Sequence, residues 1–157
     1  MKYWLMKSEP KTYSISDMKH EKTCIWDGVR NYQARNFLRQ MTKGDLAFFY
    51  HSNTVPPGII GLVKILESGI ADPTQFDQKS QYYDPKSTPN TPRWQTVSVE
   101  FVEEFPKLIS LAILKQEFSP DELLVTKKGN RLSVMPVAKN VAEKILVMKD
   151  GFYSGFH

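Results

Sequence analysis

The clearest hydrophobic pattern in the chain lies within residues 31–41. Its apolar residues follow the spacing i, i+3, i+4 and i+7 of a helix with one buried face, at positions Ala34, Phe37, Leu38 and Met41. A shorter helix is predicted over residues 14–20, because Ser14 and Asp17 are spaced as an acidic variant of the capping box. Further short helices are predicted over residues 111–118, 121–126 and 138–148.

Strands are indicated where apolar residues alternate with polar ones, or run continuously between turn residues. Val97, Val99 and Phe101 alternate with polar neighbours, which is the period of a half-buried strand. Other strands are predicted over residues 2–8, 46–51, 59–66 and 131–137. Because helices and strands interleave without a regular βαβ rhythm, we predict an α+β fold with an antiparallel or mixed sheet that curls into a barrel.

Residues 72–94 form the least regular part of the chain. They contain four prolines and show no helical or strand period. A loop of this length inside a folded domain is usually either functional or poorly ordered.

Length and composition fit one folded domain. The chain has 157 residues, of which 41% are hydrophobic and 24% charged, values far from those of disordered chains. We expect residues 1–149 to form a single domain and residues 150–157 to be a tail that frays unless its aromatic residues dock. No apolar stretch is long enough to cross a bilayer and the N-terminus lacks a secretion signal. With one cysteine and no membrane segment, the expected location is the cytoplasm.

Residue patterns typical of catalysis are missing from the chain. Three histidines and one cysteine have no zinc-site spacing, and there is no phosphate-binding glycine loop or serine nucleophile motif. We therefore expect no metal, no cofactor and no enzymatic activity. The alternative is an enzyme that acts on nucleic acid through His51, Glu9 or Cys24. A lone cysteine beside Ile25 and Trp26 is more often a small core residue.

The net charge of +4 gains meaning from the position of the basic residues. From Arg30 to Gly44 there are four basic residues and no acidic one. On a helical projection the polar face, opposite the apolar stripe, carries Tyr32, Arg35, Asn36, Arg39 and Lys43. A basic face that includes a tyrosine suits contacts to phosphates. The basic turn at residues 127–131 is a weaker indication, because lysines at turns are usually only solvated.

Long, ordered strings of the chain resemble the EVE domain family. The matching strings are residues 3–10 (YWLMKSEP), 26–37 (WDGVRNYQARNF), 48–53 (FFYHSN), 56–61 (PPGIIG), 72–77 (DPTQFD), 82–87 (YYDPKS), 92–94 (PRW) and 131–137 (RLSVMPV). The resemblance covers nearly the full length and is loose over residues 138–157. It implies a PUA-like fold related to YTH domains: a curled, mostly antiparallel barrel of about five to six strands surrounded by short helices. It also implies a nucleic-acid-binding protein whose pocket accepts a modified base, either modified cytosine in DNA or a modified RNA base.

The resemblance further implies a base pocket where three matched strings meet. The residues expected there are Lys7, Ser8, Glu9, Trp26, Asn31, Tyr32, Tyr50, His51, Ser52 and Asn53. Trp26 would offer a flat face to an extruded base, while hydroxyl and amide groups bind its polar edge. The residues expected to hold flanking phosphates are Arg30, Arg35, Arg39, Lys43, Lys128 and Arg131. Trp26 fits core packing equally well.

A third function stays open from the sequence, namely a small-ligand or protein-interaction module on the same barrel. Affinity that falls steeply with rising salt would favour nucleic acid over this alternative. The sequence does not indicate DNA or RNA, the modification, or the oligomeric state.

Overall fold

A mixed sheet of six strands organises residues 1–151, the part of the chain that this computed structural model describes. The strands are β1 (Tyr3–Ser8), β2 (Thr23–Ile25), β3 (Leu46–His51), β4 (Gly58–Ala71), β5 (Gln95–Ser110) and β6 (Val134–Val137). The helices are α1 (Ile15–Glu21), α2 (Tyr32–Gln40), α3 (Leu111–Glu117) and α4 (Lys139–Met148), and two short 3-10 turns span Pro73–Phe76 and Leu124–Thr126. Most of the predicted tail, residues 152–157, lies outside the described residues. None of the helices within residues 1–151 is long and apolar enough to cross a membrane.

The strand order is β2-β5-β4-β3-β1-β6. The pair β1 and β3 is parallel and the four other neighbouring pairs are antiparallel. The predicted α+β class and mostly antiparallel sheet are therefore confirmed. The sheet does not close into a complete barrel, because β2 and β6 form two separate edges. Both edge strands are short, and Pro136 in β6 lacks the backbone donor that a central strand needs.

Helices cover both faces of the sheet, which explains the continuous apolar run of β3. Adjacent strand residues point to opposite faces, so Phe48 and Tyr50 join one core cluster while Ala47 and Phe49 join the other. Helices α3 and α4 supply apolar residues to the first cluster, and α1 and α2 supply them to the second. The parallel register pairs Lys7 with Tyr50 and Ser8 with His51, so β1 and β3 end at the same edge of the sheet.

The locally encoded helices form as predicted. The Ser14 hydroxyl accepts a hydrogen bond from the backbone N–H of Asp17, and the Asp17 carboxylate accepts one from the backbone N–H of Ser14. These two bonds complete the capping box of α1. Asn31 caps α2 by accepting from the backbone of Ala34 at 2.9 Å.

The two central strands β4 and β5 are longer than the sequence predicts. Strand β5 continues nine residues beyond the alternating segment, through Pro106 to Ser110, and β4 continues to Ala71. Their pairing passes through several register shifts. Such bulges interrupt the period-two pattern that predicts a strand from sequence, and the strands are completed by each other.

The segment 72–94 is ordered by a buried amide. The Gln75 side chain donates at 2.8 Å to the backbone carbonyls of both Asp72 and Trp94. Its oxygen accepts from the hydroxyl of Ser87 and from the backbone of Trp94. These bonds tie both ends of the segment together and fix it beside the first turn of α2.

Candidate nucleic-acid interface

A cleft of about 1200 Å³ opens at the edge of the sheet where β1 and β3 end. Its walls come from the ends of β1 and β3, from the segment between β2 and α2, from Tyr82 and from the turn before β6. Seven predicted pocket residues line it: Lys7, Ser8, Glu9, Trp26, Asn31, Ser52 and Asn53. The parallel pairing of β1 with β3 explains why sequence positions more than 40 residues apart meet here.

Trp26 forms a wall of the cleft and belongs to the core at the same time. Only 7% of the residue is exposed, and its ring meets Phe49 edge-on, with 5.5 Å between the ring centres. Its backbone is fixed to β5, because its N–H donates to the carbonyl of Val97 and its carbonyl accepts from Thr96. The accessible part of the indole is therefore small and held rigidly.

Three residues that were predicted for the pocket do not line the cleft. Tyr50 points to the opposite face of the sheet, where burial raises its pKa to about 12. His51 has its Nε2 acceptor occupied by the backbone N–H of Ile15 at 3.1 Å, and burial lowers the pKa of its ring. Tyr32 lies outside the cleft on the exposed side of α2. A step of one residue along a strand or helix changes the face, which the matched strings could not resolve.

Arg30 lines the cleft but is not available to hold a phosphate. Its guanidinium group has five N–H donors, and each has an acceptor within the protein: the carbonyls of Val29 and Tyr82, the hydroxyl of Thr74 and the carboxylate of Asp72. Four of these five bonds go to residues of the 72–94 segment, so the Arg30 guanidinium holds that segment against the cleft wall.

The side chains of three charged residues of the cleft have no hydrogen bond or ion pair to another described residue: Lys7, Asp27 and Arg131. The ammonium of Lys7 lies 5.9 Å from the ring centre of Tyr50, without a hydrogen bond or ion pair from the described residues, and burial lowers its pKa. The carboxylate of Asp27 receives no side-chain or backbone donor from another described residue. Burial and the nearby Asp72 raise its pKa. The Asp27 carboxylate is therefore free to meet a ligand, whereas Lys7 shares a face of the sheet with Tyr50 and places its ammonium against that ring.

The other two acidic residues of the cleft are already engaged. Glu9 accepts from the side-chain amide of Asn53 at 3.2 Å, and Glu21 accepts from the hydroxyl of Tyr13 at 2.6 Å. Burial and that bond to Glu21 raise the pKa of Tyr13. Sequence reasoning missed Asp27, because an Asp-Gly pair is typical of a turn.

Beside the cleft, α2 and the segments next to it carry a group of cations, which we call the α2 basic surface: Arg35 and Arg39 on α2, Lys43 after α2, and Arg93 before β5. Arg35 donates to the backbone carbonyl of Arg93 at 2.9 Å, and Arg39 donates to the side chain of Gln95 at 2.6 Å. Neither arginine forms an ion pair within residues 1–151. Of the other predicted phosphate ligands, Arg131 lines the cleft and the exposed Lys128 does not.

The three groups named as possible catalysts, Glu9, Cys24 and His51, each contact another residue of the fold. Burial raises the pKa of the Cys24 thiol, which lies 3.7 Å from the sulfur of Met18. Within the described part of the chain, no group of three or more His, Cys, Asp or Glu side chains is placed to hold a metal ion.

Comparisons with known proteins agree on one family. A family model described as EVE domain matches residues 2–148. Thymocyte nuclear protein 1 of Homo sapiens is 41% identical over 166 residues, which cover 94% of this chain and 74% of that protein. The crystal structure of protein PSPTO5229 from Pseudomonas syringae superposes with a TM-score of 0.89 at 47% identity, covering 94% of this chain and 99% of that one. Human THYN1 protein in complex with DNA that contains 5-methylcytosine superposes with a TM-score of 0.89 at 40% identity, covering 98% and 100%.

Proposed function

Because this chain belongs to the EVE domain family, we propose that it binds nucleic acid without catalysing a reaction and holds one modified base in its cleft. One observation carries the proposal: the human THYN1 protein bound to DNA with 5-methylcytosine is 40% identical to this chain and matches 98% of it. The preferred ligand is accordingly a modified cytosine in DNA, and a modified base in RNA is the alternative that the experiment below separates.

The cleft has the size and the walls that a base requires. A volume of about 1200 Å³ accommodates a base together with its sugar. Trp26 supplies a fixed aromatic surface at the cleft wall, against which an extruded base packs. Extruding a base from a duplex costs a few kcal/mol, because stacking and pairing are lost. A single-stranded or weakly paired site is therefore the preferred target.

The uncommitted carboxylate of the cleft suits the polar edge of cytosine. Cytosine presents an exocyclic amino donor, which a carboxylate such as that of Asp27 accepts. The same base carries ring and carbonyl acceptors, to which hydroxyl and amide groups of the lining donate. The Ser52 hydroxyl and the amide of Asn53 complete the polar lining. In this arrangement the Asp27 carboxylate gains a partner that the other described residues do not provide.

Phosphates are held beside the cleft and at its rim. The α2 basic surface lies beside the cleft, and the exposed Arg131 adds positive charge at the cleft wall. Asn31 places the N-terminus of α2 at the cleft, where the helix dipole favours an anion. These contacts attract the backbone of any nucleic acid and leave the choice of base to the cleft.

The state of the candidate catalysts supports binding over turnover. The Cys24 thiol is kept protonated by burial, and the ring of His51 serves as an acceptor for the backbone of α1. Neither group is poised to act as a nucleophile or a general base.

The test is a binding titration with four matched oligonucleotides, namely DNA and RNA with cytosine or 5-methylcytosine at one central position. We expect the modified DNA to bind most tightly, all affinities to fall with rising salt, and every strand to be recovered intact. Tighter binding to modified RNA would move the preference to RNA. A chemically altered strand would indicate an enzyme, and no binding at low salt would overturn the proposal.

The role of Trp26 is tested with a substitution that keeps the core filled. Trp26→Phe should retain the fold while it reduces the preference for 5-methylcytosine over cytosine. Exposed Lys115 on α3 offers a matched control, because Lys115→Gln changes a residue of a helix that packs on the other face of the sheet. An unchanged preference in the Trp26 variant would remove the indole from recognition.

A further inference from the structure

Tyr32 is a large aromatic side chain that the fold leaves 52% exposed. It directly follows Arg30 and Asn31, which both line the cleft, but Tyr32 itself lies outside that lining. Burying such a side chain in the core would be the ordinary way to use it. An exposed ring at the rim of the cleft is placed to contact a ligand.

Trp94 and Arg35 cover the Tyr32 ring from the same side. Its ring stacks on Trp94 with 4.8 Å between centres and 21° between planes, and the guanidinium carbon of Arg35 lies 4.6 Å from its centre. If Trp94 and Arg35 lay on opposite faces of the Tyr32 ring, the distance from the guanidinium carbon of Arg35 to the ring centre of Trp94 would approach the sum of those two distances. It is only 5.8 Å. The two neighbours therefore do not sandwich the ring, and the rest of the Tyr32 surface is open to solvent.

The platform beneath the ring is rigid. Trp94 is 6% exposed, its indole N–H donates to Asp84 at 2.8 Å, and its backbone N–H donates to Gln75 at 3.1 Å. Arg35 is fixed by its bond to the backbone carbonyl of Arg93. A rigid aromatic surface loses little conformational entropy when a ligand stacks on it.

The charge around the ring favours a polyanion that carries flat groups. Arg35 contacts the Tyr32 ring, and residues 30–44 contain four basic residues and no acidic residue. Alternating aromatic faces and cations are the arrangement by which proteins hold single-stranded nucleic acid, since bases stack and phosphates pair with the cations. A protein partner would gain from the aromatic ring, but it would have to match the unpaired cations with acidic residues.

We propose that Tyr32 is a second base-stacking site, which takes the nucleotide adjacent to the base held in the cleft. The inference rests on the proposed function, because it assigns the cleft to a base. Two consecutive nucleotides are then held at once, one in the cleft against Trp26 and the other on the open face of Tyr32. The chemistry of this second site selects any base, since every base has a face that can stack.

The experiment compares ligands of one and two nucleotides. The probes are the mononucleotide of 5-methylcytosine and single-stranded dinucleotides that add an adenine or an abasic sugar on either side. In the parent chain, the adenine neighbour should strengthen binding about five-fold or more over the abasic neighbour, on one side only. Tyr32→Ala should remove this gain and leave mononucleotide affinity unchanged, while Tyr32→Phe should keep the gain.

The mononucleotide probe tests the proposed function of the cleft, and the dinucleotide probes test the second site at Tyr32. A gain that survives in Tyr32→Ala, or no gain in the parent chain, would overturn the second site while mononucleotide binding stands. Loss of mononucleotide and oligonucleotide binding alike in the parent chain would overturn the proposed function itself. If Tyr32→Ala abolished association with an acidic protein and left nucleotide binding intact, Tyr32 would belong to a protein interface instead.

Discussion

Nη1 of Arg30 donates to Oδ2 of Asp72 at 3.1 Å, and the same carboxylate oxygen accepts from the backbone N–H of Gly28 at 2.8 Å. The Asp72 side chain is only 2% exposed and that of Arg30 is 21% exposed. This ion pair joins the cleft wall that precedes α2 to the 72–94 segment. Gly28 has φ of +82°, and a Cβ at this position would lie 2.6 Å from the ring of Tyr82. The wall is thus held by a close fit as well as by charge.

Arg30 is predicted to act on stability and not on phosphate binding. Arg30→Gln leaves the buried carboxylate of Asp72 without its cation, so the free energy of unfolding should fall by about 3 kcal/mol. The slope of log affinity against log salt should match that of the parent chain, because the guanidinium makes no phosphate contact. Chemical denaturation and a salt-dependent titration measure the two quantities. An unchanged stability with a shallower slope would return Arg30 to the interface.

Local pattern predicted the elements that local residues determine. The amphipathic period of α2, the capping box at Ser14 and the apolar run of β3 each lie within one element. Strand β2 has three residues and forms only by pairing with β5, so no period could reveal it. The second half of β5 likewise depends on β4, and its bulges hide the alternation.

The matched strings predicted which segments meet at the candidate site. They did not predict the role of each residue there. Ser8 and Ser52 meet because β1 and β3 are parallel neighbours, as the matched strings implied. The same strings could not distinguish the roles of Arg30 and Arg35, since four of the five hydrogen bonds of Arg30 go to residues more than 40 positions away in sequence. Asp27 was missed for the opposite reason, because the role proposed for it depends on a carboxylate without a partner among the described residues, which only the fold makes visible.

Asp27 is predicted to recognise the amino group of the base. Thymine carries an acceptor where 5-methylcytosine carries the exocyclic amino donor. Two oligonucleotides that differ only in these bases therefore isolate this contact. Asp27→Asn replaces the carboxylate with an amide that can donate to thymine, so the preference for 5-methylcytosine over thymine should fall about ten-fold.

Glu21 provides the matched control for Asp27. It also lines the cleft, but its carboxylate already accepts from Tyr13. Glu21→Gln should keep the ratio of the two affinities, even where both affinities change. If the ratio stayed the same in Asp27→Asn, the carboxylate would not face the amino group.

The α2 basic surface is predicted to contact phosphates. Arg39 is exposed and its single bond, to Gln95, is easily exchanged for a phosphate. Arg39→Gln should weaken binding to all sequences and lower the salt slope by about 0.7 for a single strand or about 0.9 for a duplex. The titration is repeated with Lys115→Gln, which should match the parent chain. A full salt slope in the Arg39 variant would place the phosphates elsewhere.

His51 is predicted to make stability depend on pH. Its Nε2 accepts from the backbone N–H of Ile15, so the folded protein requires the neutral ring, and burial lowers the ring's pKa. Glu104 opposes this shift without reversing it. The unfolded chain, with an ordinary pKa of about 6.5, therefore binds more protons than the folded chain at mildly acidic pH. The free energy of unfolding contributed by His51 should be fully present above that pH and should decrease as the pH falls below it.

A substitution that keeps the acceptor tests this dependence on pH. His51→Gln retains a side-chain oxygen for the Ile15 N–H but has no group that titrates in this range. The unfolding free energies of the two proteins should therefore converge as the pH is lowered from 7 toward the pKa of the folded His51. Thermal or urea denaturation at a series of pH values measures the difference. Parallel curves would mean that His51 has the same pKa in the folded and unfolded chains, and that the ring is not held neutral at the start of α1.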